Sequence, residues 1–376
     1  MIKKRGTILI IAIFVFALIL IPFIFNRHSA SVFETCKLDT QGSKEQCYSE
    51  KIIKDLKQNG LESALNMMAD IADNDTEFSQ TCHSTMHEIG KISYENYQKT
   101  GKIKVNEKLS YCNYGFYHSF IEQMILVNGN IEGANKFCSQ VGNNNTDSLL
   151  ISNCYHGIGH GISSEPSAIG TAYEMSLPGL LTCKKIPETN GYRRSCQTGV
   201  FNSIAILYEN PKYKLSPPQN AFLLCFENKY DDSERSACLL QMATFQIKLL
   251  NGDSLKIFST ALKINSKYRD EIFFDLATYS LQDKGPQEVV DACRKVSPES
   301  IPTCIKGVAS GLKVYGNLGN EYERAIDFYR NGNLGSDEKE LFLSHLLISD
   351  VNSKTEQEAV CSQFPPDMQS GPCKSI

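Results

Sequence analysis

The first hydrophobic feature of the chain is a run with no charged side chain, from Thr7 to Phe25. As a helix its 19 residues span about 28 Å, close to the hydrocarbon thickness of a bilayer. Lys3, Lys4 and Arg5 precede the run and only Arg27 follows it closely, a bias that puts the N-terminus in the cytoplasm. The expected order is a cytoplasmic N-terminus at 1–6, a signal anchor meeting the lipid bilayer at 7–25, a linker at 26–35 and an extracytoplasmic domain at 36–376. This makes a single-pass protein of the cell membrane. The alternative is secretion after cleavage near Ser29-Ala30-Ser31, although signal-peptide cores are typically shorter and no A-x-A pattern is present. Both routes export the rest of the chain.

Beyond residue 35 the pattern changes to apolar stretches of helical period broken by polar, turn-rich loops. Cysteines mark the changes. Gly133–Cys138, Gln219–Cys225 and Gln287–Cys293 each read as a helix ending at a cysteine. Loops such as Gly142–Asp147 and Pro187–Gly191 follow, and a second cysteine opens another apolar helix. Taken as consecutive pairs, the cysteines are Cys36/Cys47, Cys82/Cys112, Cys138/Cys154, Cys183/Cys196, Cys225/Cys238, Cys293/Cys304 and Cys361/Cys373. Only Cys82/Cys112 breaks the short spacing, with a separation of 30 against 11–16 in the other pairs. Pairing these two is the default by elimination, with Cys82 as an additional metal ligand the alternative.

The second cysteines at 112, 154, 196 and 238 recur every 42 residues, which predicts an internal repeat. The following intervals, 66 and 69, fit a repeat enlarged by a further helical unit. Three residues after the cysteine stand Gly115, Gly157, Gly199 and Gly307, and seven after it stand Ser119, Gly161, Ser203 and Gly311; the Cys238 repeat departs, with Gln241 and Phe245 in these places. Small residues four apart let neighbouring helices approach closely. Six after the cysteine the residue is polar throughout: His118, His160, Asn202, Thr244 and Ser310.

The expected fold is all-α, a solenoid of disulfide-stapled helical hairpins. In architecture it is similar to tetratricopeptide and Sel1-like arrays, without the tetratricopeptide signature residues. Residues 36–250 form the cysteine- and histidine-rich repeats, and 251–376 form longer repeats without the histidine pattern. Closing a loop of about 15 residues is worth roughly 3 kcal/mol in the chain-entropy model, which suits a stack with no central core.

Fourteen cysteines, an even number, agree with export to an oxidising compartment. The exported part carries 34 Lys and Arg against 42 Asp and Glu, a formal charge of −8 with no basic stripe. Nucleic acid is therefore excluded as an expected partner. A protein partner on the concave face of the stack is the expectation that the architecture brings.

Five of the seven histidines fall within residues 83–160. His83 and His87, and His156 and His160, stand four apart, so each pair presents two imidazoles on one helix face. His118 and His160 share the same register, which predicts them as neighbours on adjacent helices, and His118 pairs with Glu122 at the same four-residue spacing. The candidate metal ligands are thus His83, His87, His118, His156, His160 and Glu122, with Glu88 and Glu122 as candidate catalytic carboxylates. Such donors suit zinc, copper or iron. Haem through paired histidines is a further option, though no C-x-x-C-H motif is present. His87-Glu88 is not the metalloprotease motif, because Lys91 stands where its second histidine belongs. Nucleophile-elbow, P-loop and dinucleotide fingerprints are absent. The sequence thus predicts an exported metal-binding protein, an enzyme or not. The competing expectation is an interaction scaffold with structural histidines.

Overall fold

The structure is a computed structural model, and it describes residues 35–36, 44–112, 115–144, 148–164, 170–188, 191–226, 229–316 and 322–348, with Glu358, Cys361, Ser362 and Phe364. Among the described residues all regular structure is helical. The chain divides into two compact units, Met1–Phe120 and Ile121–Ile376.

The first unit holds α1 (Lys44–Asn59), α2 (Leu61–Asn74), α3 (Thr76–Thr81), α4 (His83–Thr100) and the start of α5 (Gly115–Asn128). In α1, Tyr48, Ile52, Ile53 and Leu56 recur at helical spacing and form its buried stripe. Gly60, at φ +90°, turns the chain into α2, which buries Ala64, Leu65, Met68 and Ile71. Asp75 caps α3 by accepting the Phe78 N–H, and it also accepts from Tyr48 and pairs with Lys44 at 2.8 Å. Burial pushes the Asp75 carboxyl up, but the bonds from Lys44, Phe78 and Tyr48 prevail and hold it below the usual carboxylate range.

The second unit continues with α6 (Glu132–Asn144), α7 (Ser148–Ser163), α8 (Ala172–Cys183), α9 (Tyr192–Leu207), α10 (Asp232–Leu249), α11 (Ser254–Ala261), α12 (Ser266–Ser280), α13 (Pro286–Val296), α14 (Ile301–Val314), α15 (Glu323–Asn331) and α16 (Ser336–Ile348). Capping boxes start α8, from Thr171 and Glu174, and α10, from Asp231 and Glu234. Helices α7, α9, α10, α12, α14 and α16 touch one another in that order, while α6, α8, α11, α13 and α15 pack beside them. The 66-residue interval between Cys238 and Cys304 contains the extra helices α11 and α12, as its length implied.

Among the described residues six disulfides join Cys36–Cys47, Cys82–Cys112, Cys138–Cys154, Cys183–Cys196, Cys225–Cys238 and Cys293–Cys304, all of them expected pairs. Cys373 of the seventh expected pair lies outside the described residues. This many disulfides marks an extracellular or secreted protein. The second cysteines do not open their helices. Cys154, Cys196, Cys238 and Cys304 sit inside α7, α9, α10 and α14, which begin at Ser148, Tyr192, Asp232 and Ile301. Among the described residues no helix is long and apolar enough to cross a membrane. The expected anchor at 7–25 lies outside them, as do residues 1–6 and the linker up to residue 34.

Glycine governs how closely α7 and α9 approach. A Cβ on Gly199 would overlap the His156 carbonyl oxygen, and one on Gly159 would overlap that of Cys196. The two backbones therefore touch where neither carries a side chain. Residues four further along close the contact, with the Ser203 hydroxyl donating to the His160 carbonyl at 3.0 Å. Residues 42 apart meet across these packed helices: His156 Nδ1 lies 3.0 Å from Thr198 Oγ1, and Arg194 donates to Ser236 at 2.8 Å.

One buried carboxyl stands apart from this packing. Asp275 on α12 is 4 % exposed, and its Oδ2 meets no hydrogen-bond donor. Burial, then repulsion from Glu271 one turn earlier, pushes it up to about 8, with Arg194 pulling the other way. Asp275 is consequently protonated at neutral pH. Its folded-state value lies above the unfolded value of about 3.9, so its contribution is complete below that pH and is lost as pH rises through about 8.

Two predictions follow from these contacts. Gly199→Ala should cost about 2 kcal/mol or more in urea unfolding, whereas Gly285→Ala, with open space around it, should stay within about 0.5 kcal/mol. The melting temperature of the wild-type protein should fall between pH 5 and 8, and Asp275→Asn should flatten that fall and melt higher at pH 8. A flat wild-type profile would show that this carboxyl is solvated.

Candidate metal centre

His83 and His87 occupy the first turns of α4, immediately after Cys82, and His118 lies in the first turn of α5. The two helices approach closely at Gly115. A Cβ there would stand 2.7 Å from the His83 carbonyl oxygen and 3.1 Å from both His83 Nδ1 and His87 Cδ2. The glycine predicted to allow close packing is thus also what leaves room for two imidazoles.

One ring nitrogen of each of His83, His87 and His118 lies within 4.8 Å of the other two. His83 Nε2 and His87 Nε2 are 3.0 Å apart. The ring centroids stand 4.6 Å apart for His83 and His87, 5.2 Å for His83 and His118, and 5.5 Å for His87 and His118. Two nitrogens bound to one tetrahedral zinc ion at about 2.05 Å lie about 3.3 Å from each other, so the Nε2 spacing is close to that of a chelating pair. His118 is 8 % exposed and the other two are half-buried.

The protonation of His83 follows from its partner. Its Nδ1 lies 2.8 Å from the Cys112 carbonyl oxygen, which can only accept, so Nδ1 carries the proton. In the neutral ring Nε2 then keeps its lone pair, directed toward His87. Burial pushes the His83 imidazole below its usual range, with the bond to Cys112 acting in the opposite direction. The ring is neutral at pH 7, as a metal ligand must be. An imidazole whose second nitrogen donates to a carbonyl is the usual outer arrangement of a metal-bound histidine.

The acceptor itself is held under constraint. Cys112 has φ +55°, a region that costs a non-glycine residue of order 1 kcal/mol. Its disulfide to Cys82 and the bonds that its carbonyl accepts, from His83 and from the Gly115 N–H at 3.4 Å, keep it there. Since Cys82 is in the disulfide, it is no thiolate ligand. Met68 on α2 packs its sulfur 3.8 Å from the Cys112 sulfur.

The remaining candidates have other neighbours. Glu88 is exposed and lines a surface groove with Glu45, Ser49, Lys57 and Ser84, on the α1 side of α4. His156, His160 and Glu122 belong to the second unit and are described within it. His156 meets Thr198, and His160 Nδ1 stands 3.9 Å from Glu122 Oε2. Gly161 lets α7 lie against Glu122, since a Cβ there would be 2.8 Å from the Glu122 Cα. His345, which has no place in the histidine pattern, meets Ser310 at 2.9 Å. His28 lies outside the described residues.

Two features of the site and its surroundings escape sequence reasoning, and a third did not have to. The Cys112 carbonyl is a backbone group, and no residue type announces it. Thr198 was legible in principle, because it holds the same register after Cys196 that His156 holds after Cys154. The contact of Ser310 with His345 has no such signal.

No family model matches this chain, and no curated protein or solved structure is significantly similar to it. The expected tautomer is open to direct measurement. Long-range proton–nitrogen spectra of the metal-free protein at pH 7.5 should show His83 protonated at Nδ1 and bare at Nε2. The reverse tautomer would remove the hydrogen bond on which this geometry rests.

Proposed function

We propose that this chain is an exported, membrane-anchored protein that holds one transition metal ion at His83, His87 and His118. The observation that carries the reading is the convergence of three ring nitrogens within 4.8 Å from two separate helices. The fixed tautomer of His83 supports it. Three imidazoles without carboxylate or thiolate suit zinc or copper ahead of iron. Haem fits poorly, because the contact between His83 and His87 leaves no space for a porphyrin between these rings. A three-histidine set leaves a tetrahedral ion one open position, the arrangement of sites that activate water or polarise a carbonyl. Enzymatic use of that position is part of the proposal's scope. Neither Glu88 nor Glu122 belongs to the three-histidine group, so neither is assigned the role of base at this site.

The helix pairs of the second unit are read as repeats of a solenoid, on the strength of contacts between residues 42 apart. The anchor at 7–25 and the external placement of 36–376 rest on the uncharged run, the charge bias before it and the disulfides.

A second reading is favoured by the polar contacts of the second unit. His156 with Thr198, Asn202 with Gln241 and Ser310 with His345 tie successive helices together without any metal geometry. For His156 and His345 the structural role is preferred. The chain would then be a metal-carrying scaffold whose stacked helices bind a protein partner.

Metal analysis of the purified, oxidised full-length chain tests the main reading. About one equivalent of zinc or copper is expected, with affinity lowered at least about 100-fold by His83→Ala or His118→Ala and preserved in a His156→Ala, His160→Ala double variant. Protein that takes up none of zinc, copper or iron, and whose melting none of them changes, would leave the scaffold reading alone.

A further inference from the structure

Most of the disulfides share one construction. Cys138–Cys154, Cys183–Cys196, Cys225–Cys238 and Cys293–Cys304 each fasten one helical segment to the next. Cys82–Cys112 is built differently, with a sequence separation of 30. It joins the residue before α4 to one just before α5, so it ties together the N-terminal ends of the two helices that supply all three imidazoles. Cys82 adjoins His83 in the chain, and the Cys112 carbonyl holds the Nδ1 proton of His83. Cys112 holds its carbonyl in that direction in a left-handed conformation, at φ +55°.

These facts join the redox state of one disulfide to one ligand of the metal centre. The geometry points to Cys82–Cys112 as a redox gate on the three-histidine site, an inference that rests on the metal reading above. While the disulfide is closed, Cys112 is pinned and its carbonyl fixes the His83 tautomer and ring orientation. Reduction by a thiol reductant opens it. Two thiols lose two electrons and two protons and join as a disulfide, the Cys82–Cys112 sulfur–sulfur bond breaks, and each cysteine leaves as a thiol. Cys112 is then free to return to negative φ and carry its carbonyl away from His83. The imidazole loses the partner that kept Nε2 bare, and the ion loses a positioned ligand. Cys112 is thus a positioning residue that acts through His83. Removing such a partner typically weakens metal binding 10–100-fold.

Linkage makes the effect reciprocal: whatever reduction costs the metal, the metal must return as protection of this disulfide. The full-length protein can therefore be equilibrated in glutathione buffers of graded ratio, with and without saturating zinc. Alkylation and mass spectrometry then read each disulfide. Zinc should make Cys82–Cys112 harder to reduce by 10–100-fold in the buffer ratio, while Cys183–Cys196 should not move. In parallel, a Cys82→Ser, Cys112→Ser variant with wild-type helical circular dichroism should bind zinc 10–100-fold more weakly, and a Cys183→Ser, Cys196→Ser variant should bind it normally. If the first variant does not fold, the redox titration of the wild type decides alone. No shift at Cys82–Cys112, an equal shift at both disulfides, or undiminished zinc binding by the folded variant would overturn the gate while leaving the metal site standing. Wild-type protein that binds no metal in either state would overturn the metal reading itself.

Discussion

Direct contact between the backbones of neighbouring helices is the constraint on which the rest depends. It is possible only where no Cβ intervenes. Gly199 and Gly159 remove the side chains on both faces at the junction of α7 and α9, so a carbonyl of each helix abuts a glycine of the other. Gly115 does the same against α4, with a chemical consequence. Two imidazoles and a third from the adjacent turn occupy the space that a longer interhelical distance would have left to solvent. Each helical glycine costs roughly 1 kcal/mol against alanine. The repeated use of glycine in these helices is explained by the close packing it permits.

The disulfides answer a different need. Covalent ties between successive segments limit the freedom of the unfolded chain. At Cys82–Cys112 the tie acquires a second task. It sustains the left-handed backbone of Cys112, which aims a carbonyl at His83, which leaves one imidazole nitrogen bare toward His87. A chain of local constraints thus runs from a covalent bond to the protonation state of a side chain. The histidines outside this site illustrate the contrast. His156 and His345 find hydroxyl partners on a neighbouring helix, and their effect is cohesion between helices.

Much of the fold was legible because its signals are periodic. The order of the cysteines as close consecutive pairs foretold the six observed disulfides, and their 42-residue spacing foretold where small residues face a neighbouring helix and that the 66-residue interval holds extra helices. The histidine clustering foretold a site, and His83, His87 and His118 were all among the expected ligands. The expected set was nevertheless wider than the three that converge. Spacing shows which residues share a face, but His156 and Thr198, in equal register on successive helices, satisfy one another instead. Asp275 was not legible, because nothing in its sequence neighbourhood distinguishes a carboxyl in water from one sealed between helices.

By itself, then, the sequence determined the helical class, the cysteine pairing, the exported character and the histidines available to a site. Those properties follow from period, composition and count, which are local. Tertiary structure alone decided which three histidines meet, which nitrogen of His83 is bare and which carboxyl is buried. Each of those depends on the rotation and offset of one helix against another. Those quantities arise from glycine contacts and a disulfide acting together, and no single stretch of chain contains them.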